Sequence, residues 1–315
     1  MPVVSKSAAS ETSFRIADQP IHVQAHSPVR GILLLVASTV FFAFCDVITK
    51  SLAATLPAVE IAWIRYTTFS CIVVPMILLT GDRTLFRSKR PGLQVLRSLG
   101  VIGSTLFFAQ GLRFLPVAES TAIYFISPIL IMAMSILFLG ETVGWRRWLA
   151  ALVGLSGVLV VIRPGTDAFQ ATALLPLLGA TSWAAGAVVT RKMSGSDQPL
   201  TTLAYTAVLG CLGLSALLPF NWVAPTGREI GLGILMGLFF SIGQWLVVFA
   251  YRHGNASVIA PFSYVQLIWA GVLGYLAFSA FPDSWTIAGA CIIAASGLYT
   301  AYRERVRLLQ ARGGA

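Results

Sequence analysis

Charge is scarce in this sequence. Only 11% of its residues are Asp, Glu, Lys or Arg, against roughly 25% in an ordinary soluble domain. With 57% of residues hydrophobic, too little polar surface remains to cover a water-soluble fold of this length. The composition therefore points to a polytopic helical membrane protein. Histidine is rarer still: His22, His26 and His253 are the only three. None stands in a nucleophile–base or metal-ligand constellation, which argues against an intramembrane enzyme. His22 and His26 are spaced i, i+4, but Pro20 and Pro28 flank them and no third ligand is near. They read as solvated tail rather than as a metal site. The four cysteines, Cys45, Cys71, Cys211 and Cys291, fall in apolar runs without Cys-x-x-Cys spacing. That excludes a disulfide framework and a zinc site and leaves small packing residues. No phosphate loop of the P-loop form occurs, so ATP does not drive the protein directly, and no cofactor is expected.

What is present in quantity is long apolar stretches. Ten runs follow one another near 31–52, 59–80, 95–114, 117–139, 147–163, 171–191, 200–220, 230–251, 255–279 and 284–302. They are about twice the length of barrel strands and do not alternate, so they predict helices. Pro57, Gly81-Asp82, Pro116, Pro164-Gly165, Pro199, Pro225 and Pro282 mark the gaps. The expected fold is an all-α integral membrane protein of ten transmembrane helices. The preceding 1–29 reads as a disordered cytoplasmic tail and 304–315 as a basic one. The net charge of +10 would suit nucleic acid, but the basic residues sit in connectors and tails. On alternating sides, 17 share the N-terminal face and 4 the opposite one, with Arg65 inside a helix. That bias predicts an inner-membrane protein with both termini cytoplasmic and no nucleic-acid partner.

The stretch from Leu112 to Glu141 is apolar and free of charge from Ser120 to Gly140, yet holds Glu119, Tyr124, Ser127 and Pro128. Pro128 removes a backbone donor in mid-run, so its surroundings must satisfy a carbonyl. Arg252 to Pro282 repeats this layout, with Ala256 for Ala118, Ala260 for Ala122 and Tyr264 near Phe125. Val47-Ile48-Thr49-Lys50 is echoed by Val188-Val189-Thr190-Arg191, Ser156-Gly157-Val158 by Ser296-Gly297-Leu298, Arg163 by Arg303 and Trp145 by Trp285. Two halves, 30–165 and 166–303, of five helices each are expected. An odd number inverts the second copy, so these are inverted repeats, with a solute site between them.

Leu115-Pro116-Val117-Ala118, Ser127-Pro128, Gly140-Glu141 before Trp145, and Ala260-Pro261-Phe262 with Tyr264 resemble the drug/metabolite transporter superfamily, in its EamA-type members. The resemblance runs from Arg30 to Arg303. Asp46 to Lys50, Glu60 to Arg65 and Phe281-Pro282-Asp283 look closest to its S-adenosylmethionine and riboflavin uptake branch, which also holds exporters. The chain departs at Gln266, where the first half has Pro128, and at Phe281-Pro282, near where a Gly-Glu pair would fall. It departs again at Ser263, where many members carry an arginine. The resemblance implies a central cavity lined from both halves, and a packing or dimer face on the fifth and tenth helices. Gly154, Ser156, Gly157, Gly289, Ala290, Ser296 and Gly297 permit close approach there. Monomer and homodimer both remain open.

Each ionisable group in a membrane helix costs about 2.5–3.5 kcal/mol at the centre and so requires a reason. Asp46, Lys50, Glu60, Arg65, Arg113 and Glu119 cluster in the outer part of the first half. Asp46, Arg65 and Glu119 are candidates for gating or proton coupling, Arg65 by holding a carboxylate. A plain interhelical salt-bridge network competes with that reading, and Asp46 and Lys50 are spaced to pair with each other. Candidates for substrate binding are Gln110, Tyr124, Ser127, Trp183, Gln244, Tyr264 and Gln266, whose amides, hydroxyls and rings hold a solute without fixed charge. For the aromatic ones, core packing or the interface belt is the competing reading, and it suits Trp222, Trp245 and Trp285. The expected function is secondary transport of a small amphipathic metabolite by alternating access. An exporter of amino acids or drugs is the alternative, and a non-transporting scaffold the distant one.

Overall fold

The computed structural model describes residues 28–80, 87–140, 145–165, 170–193, 196–220, 222–253 and 260–313. His22, His26, Glu141, Ala256 and nearly all of the expected N-terminal tail lie outside them.

The helix ends follow local chemistry. Pro91 opens α3 (Pro91–Phe114) and Pro199 opens α8 (Pro199–Leu217), where a missing N–H costs nothing. Thr226 caps α9 (Gly227–Arg252) in a reciprocal box with Glu229. Gly140 closes α5 (Ser127–Leu139) with φ +67°, a left-handed backbone that glycine adopts freely. The remaining helices are α1 (Pro28–Leu52), α2 (Ala58–Leu79), α4 (Val117–Tyr124), α6 (Trp145–Ile162), α7 (Leu174–Lys192), α10 (Val265–Phe278) and α11 (Ser284–Gly313).

The all-helical membrane character stands, but the expected ten spans do not. Among the described residues, seven helical segments are long and apolar enough to cross: Val29–Leu52, Ala58–Leu79, Pro91–Phe114, Val117–Leu139, Ala171–Lys192, Pro199–Phe220 and Gly227–Ala250. Trp148–Ile162, Phe262–Phe278 and Ser284–Tyr299 are apolar but shorter. Each has a local cause. Arg146 and Arg147 truncate the apolar part of α6. A 3₁₀ turn at Ala260–Tyr264 leaves α10 only 14 residues, about 21 Å of rise. The apolar part of α11 ends at Tyr299, before a charged last third. The bilayer core is about 30 Å thick. Ten crossings, and the inverted five-helix repeats built on them, are therefore replaced by seven crossing segments and three shorter apolar helices.

The span Val117–Leu139 is itself broken at Phe125 and Ile126, between α4 and α5. The break puts Pro128 in the first turn of α5, so its missing donor is one the helix would not have used.

The chief helix pairings join a segment before residue 163 to one after residue 170. The first helix packs on α9 and α10, α2 on α8 and α9, α3 on α7 and α8, α4 on α10, α5 on α7, and α6 on α11. One core cluster, with Tyr66, Phe69, Ile77, Leu214, Met236 and Phe240, fills the space among α1, α2, α8 and α9. A second, with Ala122, Ile123, Val158, Val161, Ala180 and Ile293, joins α4, α6, α7 and α11. Apolar burial drives little association in lipid, so close backbone approach matters more. A Cβ at Gly289 would stand 2.6 Å from the Gly157 carbonyl oxygen. Leu79, Leu137 and Leu276 are 87%, 77% and 72% exposed, an outer surface suited to acyl chains.

Candidate functional site

The α1 sequence is apolar apart from a few groups near its second half, and Asp46 is the one acid in that helix. It is 8% exposed. Its Oδ2 accepts a hydrogen bond from Gln266 Nε2 at 3.0 Å. Gln266 stands in the first turn of α10, so the bond ties the early segment to the late one. A buried carboxyl held by a neutral amide meets part of its hydrogen-bonding need without a second fixed charge.

Arg65, two turns into α2, is 7% exposed. Its Nη2 donates to Thr49 Oγ1 at 2.8 Å and lies 3.7 Å from Met236 Sδ. Its guanidinium carbon sits 5.4 Å from the centroid of the Phe240 ring, a contact that partly replaces lost hydration. Thr49 Oγ1 in turn donates to the Cys45 carbonyl at 2.7 Å. Among the described residues no ion pair joins Arg65 to Asp46, although the Arg65 charge acts on Asp46 through space.

Hydroxyls extend this polar interior toward α3. Tyr124 shares a hydrogen bond with Ser104 at 2.9 Å and packs edge-on against Phe108, with ring centroids 5.0 Å apart. The Asp46 and Arg65 charges both reach Tyr124. Tyr66 shares a hydrogen bond with Thr105 at 3.1 Å.

The other expected residues are spread more widely. Ser127 is buried at the start of α5. Gln110 on α3, Trp183 on α7 and Gln244 on α9 are half-buried. Tyr264 turns toward α11. Its ring lies 5.2 Å from that of Phe125, and a Cβ at Gly297 would collide with its hydroxyl. It borders an apolar groove of about 710 Å³ between α10 and α11, with Ala118, Gly271, Tyr275, Phe281 and Ala290. Gln266, two residues on, instead faces Asp46. Tyr264 and Gln266 thus serve different places.

Glu119 is not brought to Asp46. It is half-buried at one end of the bundle, within electrostatic reach of Lys50, Arg163 and Asp283. There Arg163 Nη2 meets Asp283 Oδ2 at 2.8 Å. Asp283, outside the spans, is raised by partial burial but held below the ordinary aspartate range by Thr286 and Arg163 together. At the opposite end, Gln94 and Ser88 donate to Asp197, Gln94 at 2.8 Å. With the Lys89 N–H these bonds outweigh partial burial and lower the Asp197 pKa. Arg97 lies in α3 and bonds Thr206 and the Thr202 carbonyl of α8.

Sequence reasoning missed Thr49, Tyr66, Ser104 and Thr105. Thr49 carried a readable signal, being one turn from Asp46 inside the Asp46 to Lys50 motif. The other three show nothing in sequence beyond a polar side chain in an apolar run.

The EamA-like transporter family model matches the chain twice, over residues 29–163 and 170–302. The chain belongs to the EamA-like transporter family. Secondary transport of small metabolites, and not catalysis, goes with that membership. An S-adenosylmethionine uptake transporter of Rickettsia felis is 28% identical over 260 residues, 82% of this chain and 88% of that protein. A riboflavin transporter of Vibrio cholerae is 29% identical over 282 residues, 86% of this chain and 92% of its own. A pseudopaline exporter of Pseudomonas aeruginosa is 28% identical over 267 residues, covering 84% and 93% respectively. One solved crystal structure, 19% identical, superposes with a TM-score of 0.60 over 88% of this chain and 98% of that one. That likeness bears on the fold alone.

Proposed function

We propose that this EamA-like protein carries small amphipathic metabolites across a bacterial-type inner membrane by alternating access. S-adenosylmethionine and riboflavin are the candidate substrates. The observation that carries the reading is the Asp46–Gln266 bond between α1 and α10. It is a polar tie between the two matched segments, deep in an apolar protein, and a carrier must break and remake such ties as it reorients. Asp46 and Arg65 form the gating pair. Gln266, Tyr124 and Ser127 bind substrate on one side of the interior, with Gln110, Trp183 and Gln244 completing it. Among the described residues these last three hold no side-chain hydrogen bond of their own. Tyr264 positions α11 beside the site, and Glu119 belongs to an end gate with Lys50, Arg163 and Asp283.

Likeness to two uptake carriers supports inward transport. The pseudopaline exporter supports a second reading, efflux of amino-acid-like compounds by the same site. The two segments, 30–165 and 166–303, act as the moving halves. Contact of α6 with α11 through Gly157 and Gly289 supports use of those small residues within one chain rather than in a dimer. Arg30 at one end and Arg303, Arg305 and Arg307 at the other support cytoplasmic placement of both ends.

The test is uptake and efflux of labelled S-adenosylmethionine and riboflavin in membrane vesicles, with and without an imposed proton gradient. Gradient-dependent accumulation that Asp46→Asn abolishes is the expected result. Equal rates in vesicles with and without the protein would refute it.

A further inference from the structure

We propose that the groove between α10 and α11 holds an acyl chain of an anionic phospholipid, whose phosphate head rests on the arginines at the C-terminal end of α11. The site is separate from the Asp46–Gln266 interior and does not depend on what the protein carries.

The groove exists because two consecutive helices are not each other's main partners. The helix α10 packs chiefly on α1 and α4, and α11 on α6 and α4. Between them the floor is made of small residues, among them Gly271, Ala290 and Ala294, and the rim of large ones, among them Ile268, Leu276 and Leu298. These rim residues are 63%, 72% and 49% exposed. The opening therefore lies on the outer surface that acyl chains cover.

Its dimensions suit one chain. On α10 the lining runs from Val265 to Leu276, and on α11 from Ile287 to Leu298. Each stretch is roughly 16 Å of rise, about half the thickness of a bilayer core and so one leaflet deep. A volume of about 710 Å³ is one that a single small molecule fills. A helix from a second copy, about 10–12 Å across, would lie over the rim instead of in the groove.

The two ends of the groove differ in charge. Next to Pro282, Asp283 and Arg163 cancel each other at 2.8 Å. At the other end α11 continues beyond Leu298 with Arg303, Arg305, Arg307 and Arg312 against the single acid Glu304. Position 305 follows Ile287 by about five full turns and so falls on the groove face of the helix. Ser296 Oγ donates to the Ala150 carbonyl at 2.5 Å. That bond sets the opening turn of α6, which carries Arg146 and Arg147, level with the last apolar turns of α11. Six arginines and one acid thus gather where the groove reaches the headgroups.

Such a basic stretch beside a bilayer attracts anionic lipid, and guanidinium groups pair with phosphate through paired N–H donors. A free phosphate would use the arginines without the groove. A lipid of no net charge would use the groove and leave most of the positive charge uncompensated.

The experiment uses the full chain, purified and stripped of lipid in detergent, and follows lipid binding by native mass spectrometry and by thermal unfolding. The probes are dioleoyl phosphatidylglycerol, dioleoyl phosphatidylcholine with the same chains, and glycerol 1-phosphate, which has the anion and no chain. Phosphatidylglycerol should bind about tenfold or more tightly than either of the others. The combined Arg303→Gln, Arg305→Gln and Arg307→Gln variant should bring the two lipids close to parity. Gly271→Leu, which fills the floor, should weaken both. The comparison of probes is made on the unaltered protein, so it does not depend on any variant folding.

Equal binding of the two lipids overturns the proposal, and so does glycerol 1-phosphate binding as tightly as phosphatidylglycerol. A Gly271→Leu variant that binds phosphatidylglycerol as the wild type does overturns it as well. A dimer that Gly271→Leu dissociates, in protein that binds no lipid, gives the groove to a second copy and also overturns it. None of these readouts uses flux, so failure here leaves the transport reading standing, and failure of transport leaves the lipid site.

Discussion

The Lys50 ammonium sits on the carbonyl oxygens of Leu112 and Leu115, at 3.0 and 2.7 Å, and not on Asp46 one turn back in its own helix. It also lies 5.6 Å from the centroid of the Phe278 ring. The cation thereby caps the C-terminal end of α3, where carbonyls lack helical partners and the helix dipole is negative. Asp46 is left to Gln266.

Lys50→Met removes those bonds while keeping the apolar stem. Stability should fall by about 1.5–3 kcal/mol, the usual worth of a charge-assisted hydrogen bond, and Lys50→Arg should lose less. Thermal unfolding in detergent reads the difference, and an unchanged midpoint would contradict the capping role.

Close approach of α6 and α11 makes a second prediction. Gly289→Ala places a methyl 2.6 Å from the Gly157 oxygen and should destabilise by about 1–3 kcal/mol through overpacking. Gly271→Ala meets only Pro282 at 3.6 Å and should be neutral or stabilising by up to about 1 kcal/mol, since alanine favours the helix. Equal melting of the two variants would refute the contact.

Acid should weaken both ends of the bundle. Asp197 and Asp283 have folded pKa values below the ordinary one. Their contribution is therefore complete above the unfolded value, about 3.9. It fades as pH falls through the lower folded values. Both groups are partly exposed, so each is worth no more than about 1 kcal/mol. Asp197→Asn and Asp283→Asn should each flatten the loss of stability between about pH 5 and pH 2. A profile as steep as that of the wild type would contradict this.

In the interior, Gln266→Ala frees the Asp46 carboxyl and should reduce transport by about tenfold or more. The combined Trp183→Ala, Tyr264→Ala and Gln266→Ala variant should abolish it. Wild-type initial rates from a well-folded triple variant would remove those residues from the site.

Tags at the N- and C-termini should both be inaccessible to a membrane-impermeant reagent in intact cells. Labelling of one end only would overturn the placement of both ends in the cytoplasm.

Some of the candidate site was legible before any coordinates. Asp46 and Gln266 each stand out in the sequence, because a carboxyl and an amide in apolar runs need partners. That they partner each other was not legible, since 220 positions separate them. The i, i+4 spacing offered Lys50 instead. It failed because carbonyls at the end of α3 compete better for an ammonium that reaches that far. Glu119 resembled Asp46 on paper, yet it lies with Lys50, Arg163 and Asp283 near the bundle end.

By itself the sequence determined that the protein is helical, multi-pass and of EamA type. Those properties follow from the length and composition of runs and from short motifs, all local along the chain. How many runs are long enough to cross, which buried charges meet, and where Tyr264 and Gln266 part company were decided only by tertiary structure. Each depends on where a helix breaks and on what stands opposite it. A turn at Tyr264 shortens α10 and aims Gln266 at α1, and hydropathy cannot register either effect.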